Sequence, residues 1–450
     1  MHDDLRSAVQ ADMPRLKELL KTLIRMRSVS AHGYDPEGVR GAGEAIVGIL
    51  ESQGFSNARL LESSQGHPAV FAELPAPDGA PTVLLYAHYD VQPPGPAEEW
   101  GTPPFDPVEK NGRIYGRGAS DDKAGIVMHL GAIAAHGEDL PVGIQLFLEG
   151  EEEAGSEGLP EILRNHSDML HPDMIVIGDG GNWSEGIPSF ISSLRGLVAV
   201  KIEVRTLGAA VHSGQYGGYV PDALMALSRL LASLHDDQGN VAIDGLLSEE
   251  TSESIDVPED LARSLASAVD GLELIGEGSI PSRLWTRPAL SILAIDAPPI
   301  AEAINQLVPV ARAKVSMRIP PGQDTDEALQ ALKSHLEANV PWGAQLSFLH
   351  EEKGDATVLG SDNEGVRIWR DAFKEAFGTD AVEMGAGGSI PFIATFAELF
   401  PEAPILVVGP ADPTSAFHAP NESQSIVDLE RMAVAEAISF RLLAAQVPST

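Results

Sequence analysis

The most constraining feature of this sequence is a cluster of acidic residues that directly follows a short apolar run. Residues 144–148 (IQLFL) are typical of a buried β-strand, and four carboxylates follow at once, at Glu149, Glu151, Glu152 and Glu153. Acidic side chains this close to the end of a core strand repel each other and lose hydration, so a divalent cation would offset their charge well. Taken alone, the cluster could also be a solvated acidic turn.

The length and charge of the chain limit its class. A chain of 450 residues exceeds one ordinary core and predicts two domains. Lys and Arg number 30 against 66 Asp and Glu, which gives a formal net charge of −36 at pH 7. Such a charge repels nucleic acid and anionic membrane surfaces, so we expect neither as a partner.

The sequence contains no cysteine, which excludes disulfides, thiolate metal sites and thiol nucleophiles. Any metal would therefore be held by His, Asp and Glu. The first residues lack the basic and apolar regions of a signal peptide, and no later run is long and apolar enough to span a bilayer. We expect a cytoplasmic protein.

The pattern of strands and helices predicts an α/β fold with a mostly parallel sheet and helices on both faces. We assign residues 1–192 and 353–450 to this catalytic domain. Between them, residues 193–352 alternate apolar and polar positions in several strands, which indicates an inserted two-layer α+β domain. The first helix is expected to begin at Asp12, and residues 248–288 to form a long surface loop.

Four apolar runs end in residues that can bind a metal. They lead into His88, the glutamate cluster, Asp179, and the loop that carries His418. In open α/β sheets, ligands bind at the carboxyl ends of the strands, so these side chains should meet at one edge. Carboxylate and imidazole ligands without thiolates suit Zn²⁺, Mn²⁺ or Co²⁺.

A glycine-rich segment at residues 116–125 could suggest a phosphate-binding loop. Its spacing is that of neither a dinucleotide-binding loop nor a P-loop, and Asp121 and Asp122 would repel phosphate where a donor is needed. We therefore reject phosphate binding.

Six motifs give the chain a resemblance to a known family. They are HYDVQP at 88–93, GRGASDDK at 116–123, EGEEEAGS at 149–156, HSG at 212–214, GGSIP at 387–391 and HAPNE at 418–422. Together they resemble the co-catalytic di-zinc exopeptidases and deacylases, which include carnosinase-type dipeptidases, glutamate carboxypeptidase, aminoacylase and succinyl-diaminopimelate desuccinylase. The cytosolic dipeptidase branch is the most similar.

The resemblance implies two divalent metal ions per subunit, zinc first, with manganese or cobalt as alternatives. By this resemblance Asp121 bridges the two ions. His88 and Asp179 complete the first site, and Glu153 and His418 complete the second.

The resemblance also implies the hydrolytic residues. Glu152 is the expected general base for a hydroxide that bridges the metals, and Asp90 is expected to accept the second N–H of His88. Three consecutive glutamates make a slip of one position easy, so Glu151 stays open as an alternative base.

Further residues are implied to bind the substrate. His212 is expected to act across a homodimer interface formed by the inserted domain, where it would polarise the scissile carbonyl. Arg318 matches a family arginine that binds the terminal carboxylate of the substrate, with Gly387, Gly388 and Ser389 as further donors.

The sequence predicts metal-dependent hydrolysis of dipeptides or short peptides with a free C-terminal carboxylate. One departure leaves an alternative open: Gly385 and Ala386 stand where the dipeptidase branch often has Arg-Glu, which removes a possible partner for a free amine. A deacylase of N-acetyl or N-succinyl amino acids would use the same machinery. A catalytically silent ligand-binding relative would show erosion of the ligand set, and none is visible.

Overall fold

The secondary structure of this computed structural model covers residues 2–251, 257–388 and 391–446. The α-helices are α1 (Asp3–Arg25), α2 (Pro36–Ser52), α3 (Lys123–Ala134), α4 (Leu159–His166), α5 (Ser213–Tyr216), α6 (Ala223–Ala232), α7 (Glu259–Leu265), α8 (Ile280–Trp285), α9 (Thr325–Asn339), α10 (Glu364–Phe377), α11 (Pro391–Leu399) and α12 (Ile426–Ala444). The β-strands are β1 (Ser56–Leu61), β2 (Ala69–Leu74), β3 (Thr82–His88), β4 (Val108–Lys110), β5 (Arg113–Tyr115), β6 (Gly143–Glu149), β7 (Met174–Ile177), β8 (Ser189–Leu194), β9 (Gly196–Arg205), β10 (Val211–His212), β11 (Ala289–Asp296), β12 (Gln306–Leu307), β13 (Val310–Ile319), β14 (Gln345–Gly354), β15 (Thr357–Val358), β16 (Val382–Ala386), β17 (Ile405–Val407) and β18 (Ser423–Ser425).

The chain divides into two compact units. The main unit comprises Met1–Ser192, Leu359–Met384 and Pro391–Thr450, and the inserted unit comprises Ser193–Val358 and Gly385–Ile390. The inserted unit thus extends beyond residue 352, the boundary assigned from the sequence, and takes in a second short segment.

The main unit is built on a large sheet whose strand order is β1-β2-β6-β3-β7-β17-β8. The four central strands β6, β3, β7 and β17 are parallel, and the strands on either side of them are antiparallel. Every residue of β6 and β7 is buried, as expected for strands that are covered on both faces. The predicted α/β fold with a parallel central sheet is confirmed, and the antiparallel edges add to it.

Helices cover both faces of this sheet. Alternate residues of β3, Val83, Leu85 and Ala87, pack in one core with α1, α2, α3, α10 and α12. Because successive side chains of a strand point to opposite faces, Tyr86 faces the other side. There its ring stacks on Phe392 of α11, with the two centroids 4.3 Å apart.

The first helix begins earlier than the sequence predicted. Helix α1 starts at Asp3, not at Asp12, and Pro14 lies inside it. The buried residues Leu5, Val9 and Met13 continue upstream the apolar stripe that marked the helix further along. Burial of this stripe outweighs the backbone hydrogen bond that Pro14 cannot donate.

The inserted unit is a two-layer α+β structure. Its antiparallel sheet has the order β11-β13-β9-β14, and the inward residues of β9 and β13 pack against α6 and α9. The segment 248–288 was wrongly predicted to be loop throughout, since it contains the short helices α7 and α8. Residues 252–256 of that segment lie outside the described residues.

Within the described part of the chain, no helix is both long enough and apolar enough to cross a membrane.

The core of the inserted unit can be tested with two substitutions in α6. Leu230 is fully buried, whereas Met225 is 54% exposed. L230A should lower the free energy of unfolding by about 2–5 kcal/mol, because the truncation removes apolar burial and leaves a cavity. M225A should change it by less than about 0.5 kcal/mol. Urea unfolding of both variants measures the difference, and equal losses would contradict the described packing of α6.

Candidate metal centre

The carboxylate of Asp121 lies between two imidazoles. Its Oδ1 is 3.0 Å from Nε2 of His88, and its Oδ2 is 3.0 Å from Nε2 of His418. His88 is the buried last residue of β3, whereas the side chain of His418 is 58% exposed. One carboxylate that presents each oxygen to a different imidazole is the geometry expected of a ligand shared by two cations.

Glu153 lies beside His418. Its Oε2 is 3.1 Å from Nε2 of His418, and it also accepts a hydrogen bond of 2.8 Å from the side-chain amide of Gln92. Sequence reasoning gave Gln92 no role, although the residue lies within the HYDVQP motif. The structure therefore brings together the residues assigned to the second cation, with Gln92 to orient Glu153.

Asp179 follows β7 and faces the same region. Its Oδ1 is 3.9 Å from Nε2 of His88. Two groups, each with all its ligand atoms within 4.8 Å of one another, could hold a metal: His88, Glu152 and Asp179, and His88, Asp121 and Glu153. The donors are imidazole nitrogens and carboxylate oxygens, so these residues fit borderline divalent cations such as Zn²⁺.

The electrostatics of the centre reflect buried negative charge. Burial raises the pKa of Asp179 well above its ordinary value, and nearby carboxylates, including Asp122 and Glu152, add to the rise. Burial also raises the pKa of Glu152 to about 7, with Glu153 contributing repulsion. A carboxylate that titrates near neutral pH is well matched to proton transfer.

Asp121 shows the opposite shift. Burial alone would raise its pKa, but hydrogen bonds from His418 and His88 outweigh burial and bring the pKa below its ordinary value. The hydrogen bond between His418 and Asp121, together with the one between His418 and Glu153, raises the pKa of His418 to about 10. The cluster therefore attracts positive charge, as a cation site must.

Asp90 connects the end of β3 to the glutamate loop. Nδ1 of His88 lies 3.1 Å from the backbone carbonyl of Asp90 and 3.4 Å from its Oδ1, so the backbone of Asp90 is the nearer partner of that ring and its carboxylate, the predicted partner, lies slightly farther away. The sequence did not predict its other contacts. The Asp90 carboxylate accepts hydrogen bonds from the backbone N–H groups of Glu152 and Glu153 at 3.2 and 3.0 Å, and from the Ser30 hydroxyl at 2.6 Å.

Glu151 points away from this cluster and belongs to neither metal-competent group. Its carboxylate accepts a hydrogen bond of 2.9 Å from the backbone N–H of Gly158. It also lies against Gly66, where an added Cβ would stand 2.1 Å from a Glu151 oxygen. This geometry favours Glu152 over Glu151 as the general base.

The remaining predicted residues belong to the inserted unit. His212 is an exposed residue between β10, which it ends, and α5, and its Nδ1 accepts a hydrogen bond of 3.0 Å from the backbone N–H of Gly214. Nδ1 is therefore unprotonated, which leaves Nε2–H as the donor of the neutral ring. Arg318 lies on β13, Gly387 and Gly388 follow β16, and Ser389 lies outside the described residues.

Comparison with known protein families gives one match. The model of peptidase family M20/M25/M40 matches residues 84–439, a span that includes every residue discussed above at the metal centre except Ser30 and Gly66.

Two curated relatives and one solved structure illustrate the similarity. A cysteinylglycine-S-conjugate dipeptidase of Corynebacterium striatum is 32% identical over 402 residues, 88% of either chain. A Beta-Ala-His dipeptidase of Rattus norvegicus is 28% identical over 92% of this chain and 86% of its own. The structure of the dipeptidase Dug1p of Saccharomyces cerevisiae superposes with a TM-score of 0.82 at 22% identity, covering 98% of both chains, which shows a shared fold.

A pair of amide substitutions tests the choice between the two glutamates. E152Q should lower kcat for a hydrolysed dipeptide by about 10²–10⁴-fold, because the amide cannot accept a proton. E151Q should keep kcat within a few fold, since its side chain contacts Gly158. Metal content, measured in parallel, should be unchanged in E152Q. Full activity in E152Q together with loss in E151Q would reverse the assignment.

Proposed function

Because the chain belongs to peptidase family M20/M25/M40, we propose that it is a metal-dependent dipeptidase that hydrolyses dipeptides or short peptides with a free C-terminal carboxylate. The observation that carries the proposal is the carboxylate of Asp121, which contacts His88 and His418 with one oxygen each. The names of the relatives, a cysteinylglycine-S-conjugate dipeptidase and a Beta-Ala-His dipeptidase, support the substrate class.

The proposed cofactor is a pair of divalent cations, zinc first, with manganese or cobalt as alternatives. Asp121 would bridge them, His88 and Asp179 would hold one, and Glu153 and His418 would hold the other. When bound, the cations would activate water near neutral pH and polarise the scissile carbonyl.

The chain's own residues would move the proton and hold the geometry. Glu152 would accept the proton of the attacking water and return it to the leaving nitrogen, a task that suits a carboxyl whose pKa is raised by burial and by the nearby Glu153. Asp90 would keep Glu152 in place through its bond to the Glu152 N–H. Because Asp90 also faces His88, one carboxylate would orient the base and a ligand together.

Recognition of the substrate carboxylate is assigned to Arg318, with Gly387 and Gly388 as donors. A second guanidinium supports this role. Arg195 is buried, its Nε has no hydrogen-bond partner, and burial and the nearby Arg318 lower its pKa to about 10. In the part of the chain that the structure describes, no carboxylate offsets the charge of either arginine, so an anionic ligand would be favoured.

Gly385 and Ala386 stand where the dipeptidase branch often has Arg-Glu, and the packing around Gly385 fits a small residue there. A Cβ added at Gly385 would stand 2.6 Å from the Cβ of Trp285, so the buried indole occupies the space that a larger residue would need. Position 385 therefore cannot carry the arginine found in many dipeptidases without displacing Trp285. Ala386, which stands in place of the glutamate, has no carboxylate to bind a free amine, so recognition of that amine would come from another group.

We also propose a cytoplasmic homodimer that forms through the inserted unit. Strand β11 is an edge of the sheet, and its apolar residues Ile292, Leu293 and Ile295 are all exposed. An exposed apolar edge strand is a ready surface for pairing with a second copy. Across such an interface, Nε2–H of His212 would donate to the carbonyl oxygen of the partner's substrate.

Matched substrate panels test the proposed function. The purified protein, loaded separately with Zn²⁺, Mn²⁺ or Co²⁺, should release amine from dipeptides and little from N-acetyl or N-succinyl amino acids. Amidation of the dipeptide C-terminus should raise KM by about 10-fold or more, because the paired arginines lose their anion. Turnover confined to the acylated panel would make the protein a deacylase. Silence on both panels with two metals bound would favour a ligand-binding relative.

Mixed dimers test the cross-subunit role of His212. H212A alone should lower kcat by about 10²–10³-fold without loss of metal, since a donor to the developing oxyanion is removed. Co-expression of H212A with the inactive E152Q should restore about a quarter of the parent activity, because half of the dimers pair an intact Glu152 with an intact His212 at one site. Absence of restoration in verified mixed dimers would contradict action across the interface.

A further inference from the structure

The glycine-rich turn that precedes α3 does bind an anion, but the anion is part of the chain. The backbone N–H groups of Gly118, Ser120 and Asp121 donate to the carboxylate of Glu422 at 3.0, 3.0 and 3.1 Å. The guanidinium of Arg117 adds a hydrogen bond of 2.8 Å to the same carboxylate. Backbone N–H groups that converge in this way form an anion-binding concavity.

The contact is entirely internal. Glu422 is 0% exposed and Arg117 is 1% exposed, so both charges are removed from water. The two oxygens of Glu422 share the donors, Oε1 facing Ser120 and Asp121 and Oε2 facing Gly118 and Arg117. Hydrogen bonds to a charged acceptor are roughly twice as strong as neutral ones, so this carboxylate holds the turn firmly.

Glu422 also belongs to the loop that carries His418. Its backbone carbonyl accepts a hydrogen bond of 3.0 Å from the N–H of Gly116. On the other side of the loop, the side chain of Asn421 bonds to the N–H of Gly101 and to the carbonyl of Glu99 at 2.6 and 3.0 Å. One residue thus joins the turn of Asp121 to the loop of His418.

We propose that Glu422 is a positioning residue that sets the separation of Asp121 and His418, and with it the affinity of the second cation site. The inference rests on the metal centre of the proposed function. Glu422 touches no predicted ligand atom itself. It acts through the backbone N–H of Asp121, whose carboxylate faces Nε2 of His418 at 3.0 Å.

If Glu422 only stabilised the fold, replacing another buried and paired glutamate should have the same effect on metal binding. Glu436 is a matched control for this possibility. Glu436 is also fully buried and is paired with a side chain, since its Oε1 lies 2.8 Å from Nδ1 of His129. None of its described contacts reaches the turn or the loop of His418. E436Q should therefore lower thermal stability about as much as E422Q, while its metal binding stays as in the parent protein.

The test is a Co²⁺ titration of the full-length parent, E422Q and E436Q, followed by visible absorption and by competition with a chelator. In E422Q, one Co²⁺ should bind as in the parent, and the affinity for the other should fall by about 10- to 100-fold, the usual effect of losing a residue that orients a ligand. Its absorption band should change in intensity or position. E422D, which retracts the carboxylate by one methylene, should give a smaller loss and replaces E422Q if that variant does not fold.

Two results would overturn the inference. Unchanged Co²⁺ affinities and spectrum in E422Q, or in E422D if E422Q does not fold, would show that Glu422 does not position the ligands. An equal change in E436Q would show that general destabilisation is responsible. Failure of the parent to bind Co²⁺ would instead remove the proposed metal centre, so the two failures are distinguishable.

Discussion

Repulsion among buried carboxylates is the constraint on which this structure depends. Asp90, Asp122 and Glu149 are buried at or near the carboxyl ends of the central strands and around the start of α3, and Asp179 lies near them together with Asp121, Glu152 and Glu153. Their charge is offset in more than one way. Asp90 and Asp122 accept backbone N–H groups, whereas burial raises the pKa of Glu149 to about 8. The sheet places these groups together, and only hydrogen bonds, protonation or bound cations make that arrangement stable.

The sequence predicted features that depend on neighbouring residues, and it did not predict contacts between residues that are far apart in the chain. Each predicted ligand follows a strand or lies in a short motif, so its neighbours in sequence mark it, and the central parallel strands are signalled by unbroken apolar runs. The start of α1 was misplaced because Pro14 is a strong local signal that burial of a longer stripe overrides. The contact of Glu422 with the Asp121 N–H joins residues 301 positions apart, and no local pattern reveals such a pair.

Local charge and net charge have opposite signs where a substrate carboxylate would bind. The chain carries a formal net charge of −36, which disfavours anionic ligands at long range. Arg195 and Arg318 nevertheless lie close enough for one to lower the pKa of the other. Close to these two arginines, their attraction for an anion exceeds the repulsion from the surface carboxylates, which salt screens. Binding of an anion is therefore favoured in this one small region.

The order of the ligands along the chain has a consequence for biosynthesis. Four of the five proposed ligands precede the inserted unit, and His418 follows it. At about 5–20 residues per second, the ribosome needs roughly 10 to 50 s to extend the chain from Asp179 to His418. During that interval the nascent main unit holds its acidic cluster without the second imidazole and without Glu422. A chain that has not yet reached His418 can therefore bind one cation at most in the proposed arrangement, and the paired centre forms only after His418 has been added.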